Sequence, residues 1–336
     1  MNLAAQAIAP DPPRFRNPVL RVGPDPWVIF HDGFYYEMNS TGSNLVIRKT
    51  SDITDLRRAE RKVIWRPPSD GPYSHDLWAP ELHFLQGRWF IYFAADDGNN
   101  DTHRIWVLEN DSPDPMSSGW QMKGQLADRT NAWAIDPTVF EDGGNLYVVW
   151  SGRKGNRLAS QSLYIAKLSN PWTIMGTRVR IASPKLAWEK VGDNNPAHVA
   201  TLEGPEILKH GDKVFLVYSG GGCWTDGYSL GMLTAQEGSD LMDPKSWKKS
   251  PQPVFKGSPE AHAYGTGHNG FFQSPDGTQN WIIYHANPES NQGCGNHRSA
   301  RIQPFSWSAD GSPVFGKPVP LDLTLPKPAG TKLPGS

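Results

Sequence analysis

Three acidic residues share one kind of local setting: Asp25 precedes Pro26, Asp136 precedes Pro137, and Glu203 precedes Gly204-Pro205. Proline locks φ and glycine admits backbone angles that other residues avoid, so these neighbours can hold a carboxyl at the start of a strand. Carboxylates collected in one pit repel one another. At least one then keeps its proton near neutral pH while another stays ionised. A proton donor and a proton acceptor separated in this way are what acid–base catalysis needs. A single Asp-Pro pair is commonly a turn or a cap; three acids at equivalent places in one repeated unit are far less readily a coincidence.

The repeat appears when turn-plus-aromatic-strand segments are aligned on their glycines. The five copies are His31-Asp32-Gly33-Phe34-Tyr35-Tyr36, Gln86-Gly87-Arg88-Trp89, Gly143-Gly144-Asn145-Leu146-Tyr147, His210-Gly211-Asp212-Lys213-Val214 and Asp276-Gly277-Thr278-Gln279-Asn280-Trp281. Each reads as a tight turn feeding a strand. A short strand precedes every turn, starting at Asp25, the Pro80-Glu81 corner, Asp136, Glu203 and the His268-Asn269 pair, and a third strand follows. The spacing of 54 to 67 residues is too long for a solenoid and suits four-stranded antiparallel blades. An all-β, five-bladed β-propeller forming a single domain over residues 17–317 is therefore expected, after an N-terminal segment 1–16 and before a C-terminal tail 318–336 that wraps the outside or frays. The first strand of each blade lines the axis, so its N-terminal residues converge on one funnel mouth.

Composition bounds the function. The chain of 336 residues carries Lys+Arg 33 against Asp+Glu 34, a net charge of -1, which removes the electrostatic argument for nucleic acid or an anionic membrane as partner. The longest apolar strings, such as Leu146 to Trp150, are strand-sized. Gly 33 and Pro 30 argue for many turns and few helices, and Trp 14, Tyr 10 and Phe 13 suit both a packed core and sugar recognition. Met1 to Ala7 reads either as the small-residue end of an export signal or as an ordinary terminus, and a secreted or periplasmic protein is expected. Cys223 and Cys294, both in Gly-rich loops, are either bridged or two buried thiols; the bridge is favoured. His75, His83 and His285 show no zinc-site spacing.

The Asn17-Pro18-Val19-Leu20 run followed by Asp25-Pro26-Trp27, the Ala134-Ile135-Asp136-Pro137 block and the Leu202-Glu203-Gly204-Pro205 block together resemble the three signature segments of glycoside hydrolase family 43, from about Asn17 to Gly316. That resemblance implies a five-bladed propeller acting on arabinose- and xylose-containing polysaccharides. It implies Asp25 as general base, Asp136 as the residue that orients and tunes the acid, and Glu203 as general acid, with inversion at the anomeric carbon and no covalent intermediate. It places Trp78 in the sugar pocket as a stacking face, with core filler as the alternative for Trp78 and for Trp27. It aligns Arg298 with a sugar-binding arginine, Arg301 being a rival; Asn269, in the His268-Asn269 pair at the start of the fifth inner strand, is a further candidate for binding substrate. His268 matches a histidine that in many members helps hold a hydrated Ca²⁺ on the axis, structural and not required for chemistry. No other cofactor is implied.

The segments around Gly220 to Trp224, Leu230 to Ala235 and Gly265 to Asn269 resemble the branch that removes terminal α-L-arabinofuranose, with the inserts from Trp65 to Leu77 and from Leu186 to Thr201 as candidate pocket walls. Plant cell-wall arabinan or arabino-oligosaccharide is the implied substrate, and a monomer is expected. A β-xylosidase and an endo-arabinanase are the rival activities. A non-catalytic sugar-binding propeller is the rival class; it would not need three acids.

Overall fold

Each turn-plus-strand segment continues as a strand whose flanks are both covered. The second strand of the second blade, Arg88–Asp96, is buried at every residue after the first, as a strand sandwiched between neighbouring sheets must be. A computed structural model describes residues 12–193 and 198–332. The turns open antiparallel sheets in chain order. Blade 1 comprises Trp27–His31, Phe34–Met38, Leu45–Thr50 and Glu60–Trp65, and blade 2 comprises His75–Leu85, Arg88–Asp96, Arg104–Asn110 and Gln121–Gln125. Blade 3 comprises Ala134–Asp142, Asn145–Gly152, Ser162–Asn170 and Thr173–Ala182. Blade 4 runs through Leu202–His210, Lys213–Gly220 and Ser229–Gln236, its outer edge split between Lys248–Lys249 and Phe255–Lys256. Blade 5 holds Tyr264–Gln273, Asn280–Asn287, Ser299–Trp307 and Pro313–Val314.

The core is a ring of apolar interfaces, each between adjacent blades. Tyr36 and Ile47 of blade 1 meet Trp89 and Ile91 of blade 2, and Tyr92 and Val107 of blade 2 meet Val148 and Tyr164 of blade 3. Val149 meets Leu216, Val217 meets Ile282, and Ile283 with Trp281 meets Val28 and Tyr35, which closes the ring. The five-bladed β-propeller read from the repeat is the fold of the chain.

Closure also draws on hydrogen bonds from the N-terminal segment. The buried amide of Asn17 donates to the Ile302 carbonyl (2.8 Å) and accepts from its N–H (2.9 Å), and Val19 N–H donates to the Ala300 carbonyl (2.9 Å). Arg14–Phe15 pairs antiparallel with Leu325–Pro326, and Lys327 N–H donates to the Pro13 carbonyl (2.8 Å), so this part of the C-terminal segment lies against residues 13–15, while beyond it Ala329 N–H donates to Gln279 Oε1 of blade 5 (3.0 Å). The candidate export signal, Met1 to Ala7, lies outside the described residues.

Candidate active site

The inner strands begin with a shared distortion. Asp25, Ala79, Asp136, Gly204 and His268, one per blade, all have left-handed φ, between 42° and 53°. The strand ladders slip at the same point, between Trp78 and Glu81, Ile135 and Thr138, Glu203 and Glu206, and Gly267 and Gly270. A bulge built around a left-handed residue bends the strand and re-aims the side chains beside it. For a non-glycine residue that conformation costs of order 1 kcal/mol, and it persists only where the surroundings over-determine it. In blade 4 the position is glycine, and a Cβ there would crowd the His268 ring at 3.1 Å. This corrects the expected equivalence of the three acids. Asp25 and Asp136 occupy the left-handed position itself, whereas Glu203 stands one residue before it.

All three acids nevertheless open onto one cavity of about 420 Å³ at the funnel mouth, shared with Trp78, Trp133, Trp224, Arg153, His268 and Arg298. Their surroundings treat them in opposite ways. Asp25 Oδ1 accepts from Arg298 Nη1 (2.6 Å) and lies 3.2 Å from His268 Nδ1. Its backbone N–H donates to His285 Nδ1 (3.1 Å), which leaves the imidazole proton on Nε2. Burial pushes the Asp25 carboxyl up, but Arg298 and then His268 outweigh it and hold it well below the usual carboxylate range. His285 stays neutral, burial pulling it down to about 4.

Glu203 is pushed up to about 7, chiefly by burial and also by the charge of Asp25, although Tyr228 donates a hydrogen bond to its Oε1 (2.8 Å). Asp136 Oδ2 accepts from Gly204 N–H (3.1 Å), which ties it to the strand start that carries Glu203. Burial, the Glu203 charge and the Asp25 charge raise Asp136 well above its ordinary value. The repulsion is mutual, so Asp136 and Glu203 do not readily ionise together. The site thus combines an ionised carboxylate with a carboxyl pair that retains a proton near neutrality.

Among the binding candidates, Trp78 lines the cavity and stacks on His103 at 4.0 Å, while His103 is backed by Asp96 at 3.0 Å. Arg298 rather than Arg301 reaches the acids. Arg301 is fully buried and donates to the carbonyls of Ala261 (3.2 Å) and His262 (2.6 Å). Trp27 does not line the cavity. It packs below it against His83 (4.8 Å) in the core between blades 1 and 2, the filler alternative. Asn269 is likewise buried beneath the mouth. Of the two inserts read as walls, residues 65–77 contribute no lining side chain, and among the described residues of 186–201 only Val199 does. The wall comes instead from residues 40–42, Asn100, Leu158 and the loops bearing Cys223, Trp224, Cys294 and Asn296. Sequence reasoning missed Trp133, which carries Arg153 on its face at 3.9 Å, and also Trp224 and Tyr228.

A second layer lies two residues beyond the left-handed positions. There Glu81 and Glu206 line a narrow crevice, too tight for a water molecule, with Trp27, His268 and Asn269. Burial and then their proximity to each other raise Glu81 well above its usual range, and burial carries Glu206 to about 8. His83 Nε2 lies 2.7 Å from Glu81 Oε2, and burial drops its pKa to about 3. Among the described residues no group of three or more His, Cys, Asp or Glu is placed to hold a metal ion. What the layer offers a cation is oxygen: the Asn269 amide has no partner on either atom, and Glu206 Oε1 has none.

Comparison with known proteins places these features in a family. The sequence profile of glycosyl hydrolases family 43 matches residues 15–313. An extracellular exo-alpha-(1->5)-L-arabinofuranosidase of Streptomyces avermitilis is 38% identical across 96% of this chain and 68% of its own length. Alpha-L-arabinofuranosidase 43 of Humicola insolens is 36% identical across 88% of this chain and 62% of its own. Among solved structures, an alpha-L-arabinofuranosidase from Lactobacillus brevis superposes with a TM-score of 0.86 at 35% identity, covering 92% of this chain and 98% of that one.

Proposed function

As this chain belongs to glycosyl hydrolases family 43, we propose that it is an inverting, exo-acting α-L-arabinofuranosidase that releases terminal arabinofuranose from arabinan or arabino-oligosaccharides. The observation that carries the reading is the opposed treatment of two acids on one cavity: Asp25 held ionised by Arg298, Glu203 pushed up to about 7. Glu203 protonates the departing glycosidic oxygen while Asp25 removes a proton from the water that attacks the opposite face of the anomeric carbon. Asp136, hydrogen-bonded to Gly204, positions the segment bearing Glu203, and because the Glu203 charge raises it the two carboxyls do not readily ionise together. Trp78 offers a stacking face, and Arg298 both holds Asp25 and presents donors to sugar hydroxyls. Proton NMR of an arabino-oligosaccharide digest tests this. The expected first product is the β-anomer of free arabinose, one unit shorter oligosaccharide remaining; a retained α-anomer, xylose release from xylosides at a higher rate, or internal fragments from linear arabinan would each overturn it.

The pH dependence follows from the same two groups. Glu203 must be protonated, so its working form is present below about pH 7 and is lost as pH rises through that value. Asp25, held low, stays ionised over the same range. The expected profile of kcat/KM is a broad acidic plateau and an alkaline limb centred near 7, falling about tenfold per unit above it. Initial rates on an arabinofuranoside between pH 4 and pH 9, taken with a stability control at each pH, check this.

A calcium ion on the axis is part of the proposal. The unpartnered Asn269 amide beside His268 supports it. With no tighter cluster among the described residues, such an ion would be held through water on the side where His268 lines the larger cavity, the crevice beside Asn269 being too narrow for water. It would supply positive charge below the sugar, and no proton transfer passes through it. Secretion is proposed on the Cys223–Cys294 disulfide, a bond of oxidising compartments, and on relatives named extracellular.

A further inference from the structure

We infer that the Cys223–Cys294 disulfide is a positioning device for Trp224, fixing that ring as the cavity wall on the leaving-group side, so that affinity for oligosaccharide depends on the bridge being oxidised. The inference rests on the arabinofuranosidase reading above. Cys223 and Trp224 lie in the loop between Lys213–Gly220 and Ser229–Gln236 of blade 4, and Cys294 in the loop between Asn280–Asn287 and Ser299–Trp307 of blade 5. The bond joins the two loops with their Cα atoms 5.2 Å apart, and both cysteines line the cavity with Trp224.

The seat of Trp224 is shaped for one ring position. The indole stacks on His198 at 4.3 Å and donates from Nε1 to the Gly192 carbonyl (3.3 Å). A Cβ on Gly222 would come within 2.2 Å of the ring, and one on Gly192 within 2.5 Å. Two glycines therefore leave the space the indole fills. Yet the loop reaches that seat through Gly220-Gly221-Gly222, a backbone with wide conformational freedom. Its root is tied by Gly222 N–H on the Val191 carbonyl (2.8 Å), and its far end by Asp226, which accepts from Asn291 N–H (2.9 Å). Between these ties the bridge is the covalent link to blade 5, next to the tryptophan.

The loop also identifies which part of the substrate meets the ring. Tyr228, at its end, donates to Glu203 (2.8 Å), the proposed proton donor. The leaving group departs on the donor's side, so a wall built from the donor's own blade faces the sugar next to the scissile bond.

The test compares oxidised and reduced protein on arabinotriose. A dithiol reduces the bridge: Cys223 and Cys294 each gain one electron and one proton, and the dithiol closes to its cyclic disulfide. Thiol titration confirms the release of both sulfurs. The expected result is a KM raised about tenfold, the order of one lost aromatic stacking contact, with kcat changed by less than about threefold. Inhibition by free arabinose, which fills only the terminal site, is unchanged. Reoxidation with glutathione disulfide restores KM, and the Cys223→Ser/Cys294→Ser double variant behaves as the reduced protein. Gly222→Ala raises KM with the bridge intact. Trp224→Ala raises KM to a similar degree, and reduction then adds nothing, because both changes act through one ring. A KM that is the same in both redox states, additive effects of reduction and Trp224→Ala, or a loss of rate that tracks loss of the circular dichroism of the fold would each overturn the inference while leaving the activity standing. No arabinose released by the oxidised protein would overturn both.

Discussion

Asp25→Asn is expected to lower kcat/KM by about 10³- to 10⁴-fold while the protein stays folded and still binds arabinose. The substituted amide keeps an oxygen for Arg298 to donate to, so the contact now made at 2.6 Å has an acceptor in the variant. What disappears is a group able to take a proton from water. At about 1.36 kcal/mol per tenfold, the loss corresponds to about 4 to 5.5 kcal/mol of transition-state stabilisation. The substitution also acts on stability. A carboxyl held below its unfolded pKa contributes stability above that unfolded value, and the contribution is lost as pH falls through the lower folded one. The variant is therefore expected to be less stable than the parent at neutral pH and closer to it in strong acid. Single-turnover rates together with urea midpoints at two pH values separate the effects. A variant retaining more than a tenth of the parental rate, with an unchanged binding constant, would remove Asp25 from the chemistry.

Why Asp25 was legible from sequence and Trp224 was not is a matter of where each lies in the repeat. The propeller shows itself because a closed ring demands the same solution five times: a glycine turn feeding a strand buried on both faces. Asp25 and Asp136 then stand at the left-handed position that recurs on every inner strand, and the Pro that follows marks it. Glu203 carries the same Pro mark displaced by one residue, since Gly204 takes the left-handed place against His268. Trp27 misleads for a related reason. It sits two residues past the left-handed position, as Glu81 and Glu206 do, and side chains there go under the funnel rather than into it. The walls carry no such mark. Trp133, Arg153 and Trp224 reach the cavity from loop segments and from the far end of a strand, and what aims them is tertiary: Arg153 packs on the Trp133 face, and Trp224 rests on His198 beside a disulfide to another blade. Only Cys223, beside Trp224, hints at such a setting in sequence; nothing there records His198 as the partner of Trp224 or Arg153 as the partner of Trp133.

Glu203→Gln is expected to discriminate between substrates by their leaving groups. An arabino-oligosaccharide departs as a sugar alkoxide unless a proton reaches it, so the variant should lose about 10³-fold in kcat/KM on that substrate. A dinitrophenyl arabinofuranoside leaves as a stabilised phenolate that needs no proton, and the loss there should be about tenfold or less. Burial has lifted Glu203 to about 7, which makes it a proton donor matched to neutral pH, and glutamine removes that titration while still offering Oε1 to the Tyr228 hydroxyl. The alkaline limb near pH 7 should accordingly vanish from the dinitrophenyl profile of the variant. The two readouts constrain each other. A merely structural defect would lower both substrates alike and leave the limb in place, whereas loss of the donor spares the activated substrate and flattens the profile together. Equal losses on the two substrates, or a limb that persists in the variant, would assign the proton to another group, and Asp136, the buried carboxyl that accepts from Gly204 and is itself raised, would then be the one to change next.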